Sequence, residues 1–141
     1  LLLHESLADV LVALRTRNSC IAESICSNQD TCSKTNCLRD TKNDLKYYDG
    51  IYKNKNYHLQ SQIISGLIWD LVEQDNEYSF LEIANLTLAT IRTLSPSANT
   101  EEFISKLFII DESIFNKKLC NKIKQTANNK GYSLYTSEIS C

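Results

Sequence analysis

The sequence predicts a mainly α fold, a helical bundle lobe interrupted by one long, disulfide-braced irregular loop. Three observations carry that expectation. Apolar residues recur at helical spacing in the opening residues and again along most of the chain after position 58. Four of the six cysteines crowd into positions 20, 26, 32 and 37, in a stretch rich in Ser, Asn, Thr and Asp with little apolar pattern to hold a backbone. Helix start and stop signals punctuate the second half.

Taken in order, residues 1–15 read as a helix with Leu3, Leu7, Leu11 and Leu14 on its apolar stripe. Residues 16–57 read as a mostly irregular, cysteine-rich loop region. A loop of that length inside a compact domain is commonly functional or cross-linked. The chain then turns helical over residues 59–74, 80–94, 100–110 and 113–129, which with short joints reads as a bundle. Ser79-Phe80-Leu81-Glu82 and Asn99-Thr100-Glu101-Glu102 are capping-box patterns at two of the starts. Pro96 lies just past one helix, and Gly131 sits where a left-handed stop is wanted after the last.

A length of 141 residues suits a single domain over 1–141, with roughly two thirds of its surface buried on folding. The net charge of -2 gives no footprint for nucleic acid or anionic lipid. No apolar run reaches the length needed to span a bilayer. The chain has no methionine and opens on a leucine inside an apparent helix, so a preceding segment is expected.

An even, dense set of cysteines reads as disulfides formed in an oxidising compartment, which predicts a secreted protein, extracellular or periplasmic. The rival is a zinc knot, disfavoured because the intervals in the cluster are not the C-x-x-C pairs such sites use. Cys120 is expected to pair with Cys141, and Cys20, Cys26, Cys32 and Cys37 among themselves.

The chemistry-bearing feature is Glu5 with Asp9, four residues apart on the first helix. At about 100° per residue the two carboxylates stand about 40° apart on one face, beside leucines that face a core. An unpaired carboxylate beside a buried surface is costly, so a metal ion or a ligand of one is a natural partner. The plain alternative has both acids pointing at solvent. Two further segments follow in order, Leu38-Arg39 with Lys46-Tyr47 seven residues on, and His58-Leu59-Gln60-Ser61-Gln62-Ile63-Ile64-Ser65 with Gly66 and Trp69-Asp70-Leu71.

These segments resemble, in order and spacing, the distal half of a thermolysin-like zinc metallopeptidase, and the His58 segment is similar to the fungalysin-like and related secreted members. The motifs cover residues 1 to about 75, and residues 76–141 match only in helical character. The resemblance implies that Glu5 is the third zinc ligand, after two histidines of an upstream HExxH helix. It implies that Asp9 hydrogen-bonds one zinc histidine, that Arg39 contacts the substrate carbonyl, and that His58 stabilises the oxyanion of the tetrahedral intermediate. The zinc would activate water for peptide hydrolysis. No HExxH occurs in this chain, so the two histidines and the glutamate base would come from an upstream N-terminal lobe, on the same polypeptide or as the larger half of a nicked enzyme, unless the chain is a degenerate relative that has lost its chemistry. The chain alone is expected to be inactive, and its partners would be that lobe and a peptide or protein substrate. The alternative is a non-catalytic, disulfide-braced helical domain that binds a protein partner.

Other residues carry plainer expectations. His4 reads as a boundary histidine, Trp69 as core, and Arg39 could be a surface arginine neutralised by Asp40. The resemblance further implies an acid shortly upstream that orients His58; residues 53–57 hold none, and Asp49 is the substitute. Asn85-Leu86-Thr87 fits a glycosylation sequon but falls within a predicted helix, which favours chance. The lysines at 117, 118, 122, 124 and 130 suit a solvated helix face.

Overall fold

Residues 2–23, 25, 36–47, 57–73 and 80–141 are described by the structure, a computed structural model. Among them the order is α1 (Leu2–Thr16), β1 (Cys20–Ile21), β2 (Arg39–Asp40), α2 (Tyr57–Glu73), α3 (Phe80–Arg92), α4 (Thr100–Phe115), α5 (Cys120–Asn129) and α6 (Ser133–Thr136). The fold is mainly α.

The core is drawn from α1 through α5 and the residues that follow. Leu3, Leu7, Val10 and Leu14 of α1 meet Ile63, Ile64, Leu67, Ile68 and Leu71 of α2, and α3, α4 and α5 add Leu86, Phe103, Leu107 and Ile123. Helix α2 is central, packing against α1, α3 and α5. Its apolar residues run almost without interruption from 63 to 69, the signature of a helix covered on most sides. The stripe of α1 differs from expectation at one position. Val10 takes the buried place and Leu11 stands 40% exposed.

Helices α1 and α2 run parallel. Glu5 lies opposite His58, Ser6 Oγ donates to the Ser61 carbonyl at 2.7 Å, and Ala13 packs with Trp69. Small buried residues at the contact let the backbones approach. Parallel neighbours need a connection that returns the length of a helix, which for the 15 residues of α1 is about 22 Å. That requirement explains the long segment between them. Helix α3 is antiparallel to α1, since Arg17 stacks over the Phe80 ring at 4.9 Å while Leu11 and Leu14 line a groove with Ala84 and Leu88.

The long segment is not wholly irregular. β1 and β2 form an antiparallel ladder pairing Cys20 with Asp40 and Ile21 with Arg39, extended by Leu38 N–H to Ile21 O and Thr41 N–H to Ser19 O. A Cys20–Cys37 disulfide closes it, and a Cys120–Cys141 disulfide ties the tail to α5 as expected. Cys26 and Cys32 lie outside the described residues, as does Ser79 of the first capping box.

One boundary, one additional element and one cap differ from expectation. The expected break between 110 and 113 falls instead at residues 116–119, where Asn116 and Lys117 adopt positive φ and end α4. A short α6 follows Gly131, whose φ of 90° makes the predicted left-handed stop. At the start of α4, Asn99 caps Glu102 N–H at 2.8 Å, but the Glu102 carboxylate turns outward to the Ser95 N–H and Oγ rather than back to Asn99. The Ser95 backbone N–H holds Glu102 below the usual carboxylate range.

Candidate functional site

The helical spacing of Glu5 and Asp9 places both on the side of α1 that faces the start of α2 and the β1–β2 ladder. Asp9 is buried, with its side chain 3% exposed. Arg39 answers it from β2 in a two-pronged contact, Nε to Oδ2 at 2.6 Å and Nη2 to Oδ1 at 2.6 Å. This planar fork is the strongest geometry an arginine offers a carboxylate. The hydrogen bonds that Arg39 donates to Asp9 raise the guanidinium's pKa despite its burial, with smaller contributions from the Asp9 and Glu5 charges.

Arg39 reaches Asp9 because the ladder holds it there. β1 begins four residues after α1 ends, and the cross-strand pair Ile21–Arg39 and the Cys20–Cys37 disulfide fix β2 against the end of that helix. Arg39 is therefore not neutralised by its neighbour Asp40, whose Oδ1 accepts from the Lys42 N–H.

Glu5 is half-buried and its Oε2 lies 3.5 Å from His58 Nδ1 at the N-terminal end of α2. His58 is largely exposed at 62%. The structure thus brings Glu5, Asp9, Arg39 and His58 together on one face, formed by α1, β2 and α2. His4 is exposed and outside this group, and Trp69 is buried against Ala13 and Ile21. Asp49, the candidate to orient His58, lies outside the described residues.

The resemblance assigned Asp9 to a zinc histidine and Arg39 to a substrate carbonyl. Here the two are each other's partners. Each carboxylate oxygen has a second lone pair, and the arginine has further N–H groups, so neither is exhausted by the pairing. Among the described residues no three His, Cys, Asp or Glu side chains are grouped to hold a metal ion. Glu5 could offer zinc one carboxylate donor, and the described residues around it do not complete a site by themselves.

A second polar cluster was missed by sequence. Lys130, expected on a solvated face, is buried to 4% exposure, with its Nζ donating to Asn43 O and standing 3.2 Å from Asp70 Oδ2. Its burial was readable from spacing, because Ile123, Ala127 and Lys130 fall on one face of α5 and its C-cap. Burial raises the Asp70 pKa more than the nearby lysine lowers it.

The chain matches no protein-family model, no curated protein and no solved structure.

Proposed function

We propose that this chain is the mainly helical C-terminal lobe of a secreted zinc endopeptidase and forms one wall of its cleft. The observation that supports this reading is the convergence of Glu5, Asp9, Arg39 and His58 on one face from three separate elements, in the order the sequence resemblance requires. Two disulfides are compatible with an extracellular location.

Zinc bound there would polarise the peptide carbonyl and activate water. The chain's own residues have narrower tasks. Glu5 offers one carboxylate to the metal. Arg39, locked by Asp9, presents a fixed positive charge whose remaining N–H groups can donate to a peptide carbonyl. His58, exposed beside Glu5, is placed to donate a proton or hydrogen bond to developing negative charge. Neither histidine of the metal nor a general base is supplied by this chain, so peptide cleavage requires the other lobe.

A second reading, a non-catalytic domain that binds a protein partner, is favoured by the described residues, which bring no three His, Cys, Asp or Glu side chains together where a metal needs at least three donors. One experiment separates the two. In the longest natural polypeptide that contains this chain, Glu5→Ala should lower both zinc content and peptidase activity. His58→Ala should keep zinc while lowering kcat about a hundredfold, the cost of one oxyanion donor. Unchanged zinc content and unchanged turnover in both variants would transfer the assignment to the partner-binding reading.

A further inference from the structure

We infer that Asn85 is an N-glycosylation site, whose oligosaccharide covers an apolar patch formed by Leu81, Leu88 and Leu11. Asn85-Leu86-Thr87 is an Asn-x-Thr acceptor sequence. It lies within α3, and Asn85 is exposed on the outer side of that helix. A bulky, solvated glycan can therefore leave this side chain without disturbing the packing.

Two observations give the sequence pattern physical weight. The first concerns Thr87, which is fully buried at 0% exposure and whose Oγ1 has no hydrogen-bond partner among the described residues. A buried hydroxyl without a partner is a net cost that valine would avoid. Thr90 on the same helix, equally buried, satisfies its hydroxyl on Leu86 O at 2.8 Å. The Thr87 hydroxyl thus does nothing for the folded helix, whereas the acceptor sequence requires it in the unfolded chain. Thr126 is also buried without a partner, but Lys124 stands two residues before it, so an orphan hydroxyl alone marks no site. At Thr87 the exposed asparagine supplies the other half.

The second observation is the surface around Asn85. Leu81, four residues before it, is 62% exposed, and Leu88, three residues after it, is 40% exposed. Both share its helix face. Leu88 continues into the groove against α1, an apolar cleft of about 310 Å³ lined by Leu11, Leu14, Arg15, Ala84 and Leu88. Exposed leucines beside an apolar cleft are an association hazard unless they are covered. A glycan rooted at Asn85 covers them.

The chemistry balances with a donor of one class, an oligosaccharide carried on a polyprenyl pyrophosphate. Transfer replaces one Nδ2–H of Asn85 by a bond from Nδ2 to the anomeric carbon. It breaks the bond between that carbon and the pyrophosphate oxygen, and releases the lipid pyrophosphate and a proton. The disulfides are compatible with passage through a compartment where such donors act.

Peptide mapping of the protein purified from its source organism tests this directly. The peptide containing Asn85 should carry an oligosaccharide that peptide N-glycosidase removes, leaving aspartate at position 85. On expression in the same organism, Thr87→Ser should retain the glycan, while Asn85→Gln and Thr87→Val should lose it. Thr87→Val should also melt no lower than the enzymatically deglycosylated wild type, and the deglycosylated form should self-associate more at equal concentration. An unmodified Asn85 in the oxidised, purified protein would overturn the inference. So would a Thr87→Val protein that melts below deglycosylated wild type, because the hydroxyl would then have a structural reason to be there.

Discussion

Three buried or half-buried carboxylates show how differently one chain can answer the same physical demand. Asp9 meets the forked guanidinium of Arg39, Asp70 meets the ammonium of Lys130, and Asp111 meets no cation among the described residues. Asp111 is fully buried, and its Oδ1 accepts from the Leu119 N–H at 3.0 Å, capping α5 from the preceding helix. Leu119 itself offers no side-chain cap, so the carboxylate of α4 does that work at a distance. The Asp111 Oδ2 has no partner among the described residues, and burial pushes the pKa of this carboxyl above 3.8 despite the backbone N–H groups that lower it. The sign of the pH effect follows. Between 3.8 and the raised value the folded protein binds more protons than the unfolded one, so this group withdraws stability as pH rises through that window. Asp111→Asn keeps the Oδ1 acceptor and removes the charge. Thermal midpoints of the variant and the wild type should therefore converge towards a constant offset below pH 3.8, with the variant gaining on the wild type as pH rises. Asp111→Ala should lie about 1 kcal/mol below Asp111→Asn at every pH through the missing cap. A pH-independent difference between Asn and Asp would show that burial does not govern this carboxyl.

At the scale of elements, the packing of the segment around Asn43 against α2 sets a test in which two effects oppose each other. A Cβ added at Gly66 would lie 2.9 Å from Asn43 Nδ2, 3.0 Å from its Oδ1 and 3.1 Å from Lys130 Nζ. Asn43 cannot swing away cheaply. Its amide donates to the Asp40 and Gln62 carbonyls, and its oxygen accepts from the Leu45 N–H. Alanine gains about 1 kcal/mol over glycine in a helix interior. Overpacking a locked contact costs about 1–3 kcal/mol. Gly66→Ala should therefore destabilise by about 1 kcal/mol in urea unfolding, and the loss should shrink when Asn43→Ala removes the obstacle. A stabilising Gly66→Ala would show that the segment yields. This contact also marks the limit of what sequence made legible. The long helices were readable because their apolar periods repeat over several turns, and Asn99 and Gly131 announced a start and a stop through local chemistry alone. The β1–β2 ladder has two residues per strand, too few for any alternation to register. The break at 116–119 depends on Asn116 and Lys117 accepting positive φ and on Asp111 reaching across it, neither of which has a sequence period. The candidate site divides in the same way. Glu5 and Asp9 were placed together by helical spacing, but the Asp9–Arg39 fork joins residues whose partnership only the ladder creates.

For the molecule as a whole, the two disulfides among the described residues fall on different kinds of structure and should respond differently to removal. Cys120–Cys141 spans 21 residues and Cys20–Cys37 spans 17, so the loop-entropy estimate is about 3 kcal/mol for each. Their surroundings differ more than their loops. The tail held by Cys141 has independent anchors, since Tyr132 and Thr136 are fully buried and Lys124 Nζ donates to Ile139 O at 2.6 Å. The ladder held by Cys20 and Cys37 has little beneath it besides Ile21, packed with Ala13 and Trp69, and the fork from Arg39 to Asp9. Paired alanine replacements should therefore separate global from local loss. Both pairs should lower stability by about 3 kcal/mol against denaturant. In native-state hydrogen exchange, Cys20→Ala with Cys37→Ala should accelerate the amides of Leu38 and Thr41, which bond to Ile21 O and Ser19 O, and leave the Ile139 amide close to wild type. Cys120→Ala with Cys141→Ala should do the reverse, freeing Ile139 while the ladder amides stay protected. Because the ladder is what carries Arg39 to Asp9, only the first pair should also loosen the face on which Glu5 and His58 meet. Equal acceleration of both sets of amides by either pair would show one cooperative unit, in which the placement of Arg39 is a property of the entire fold and not of the clamp beside it.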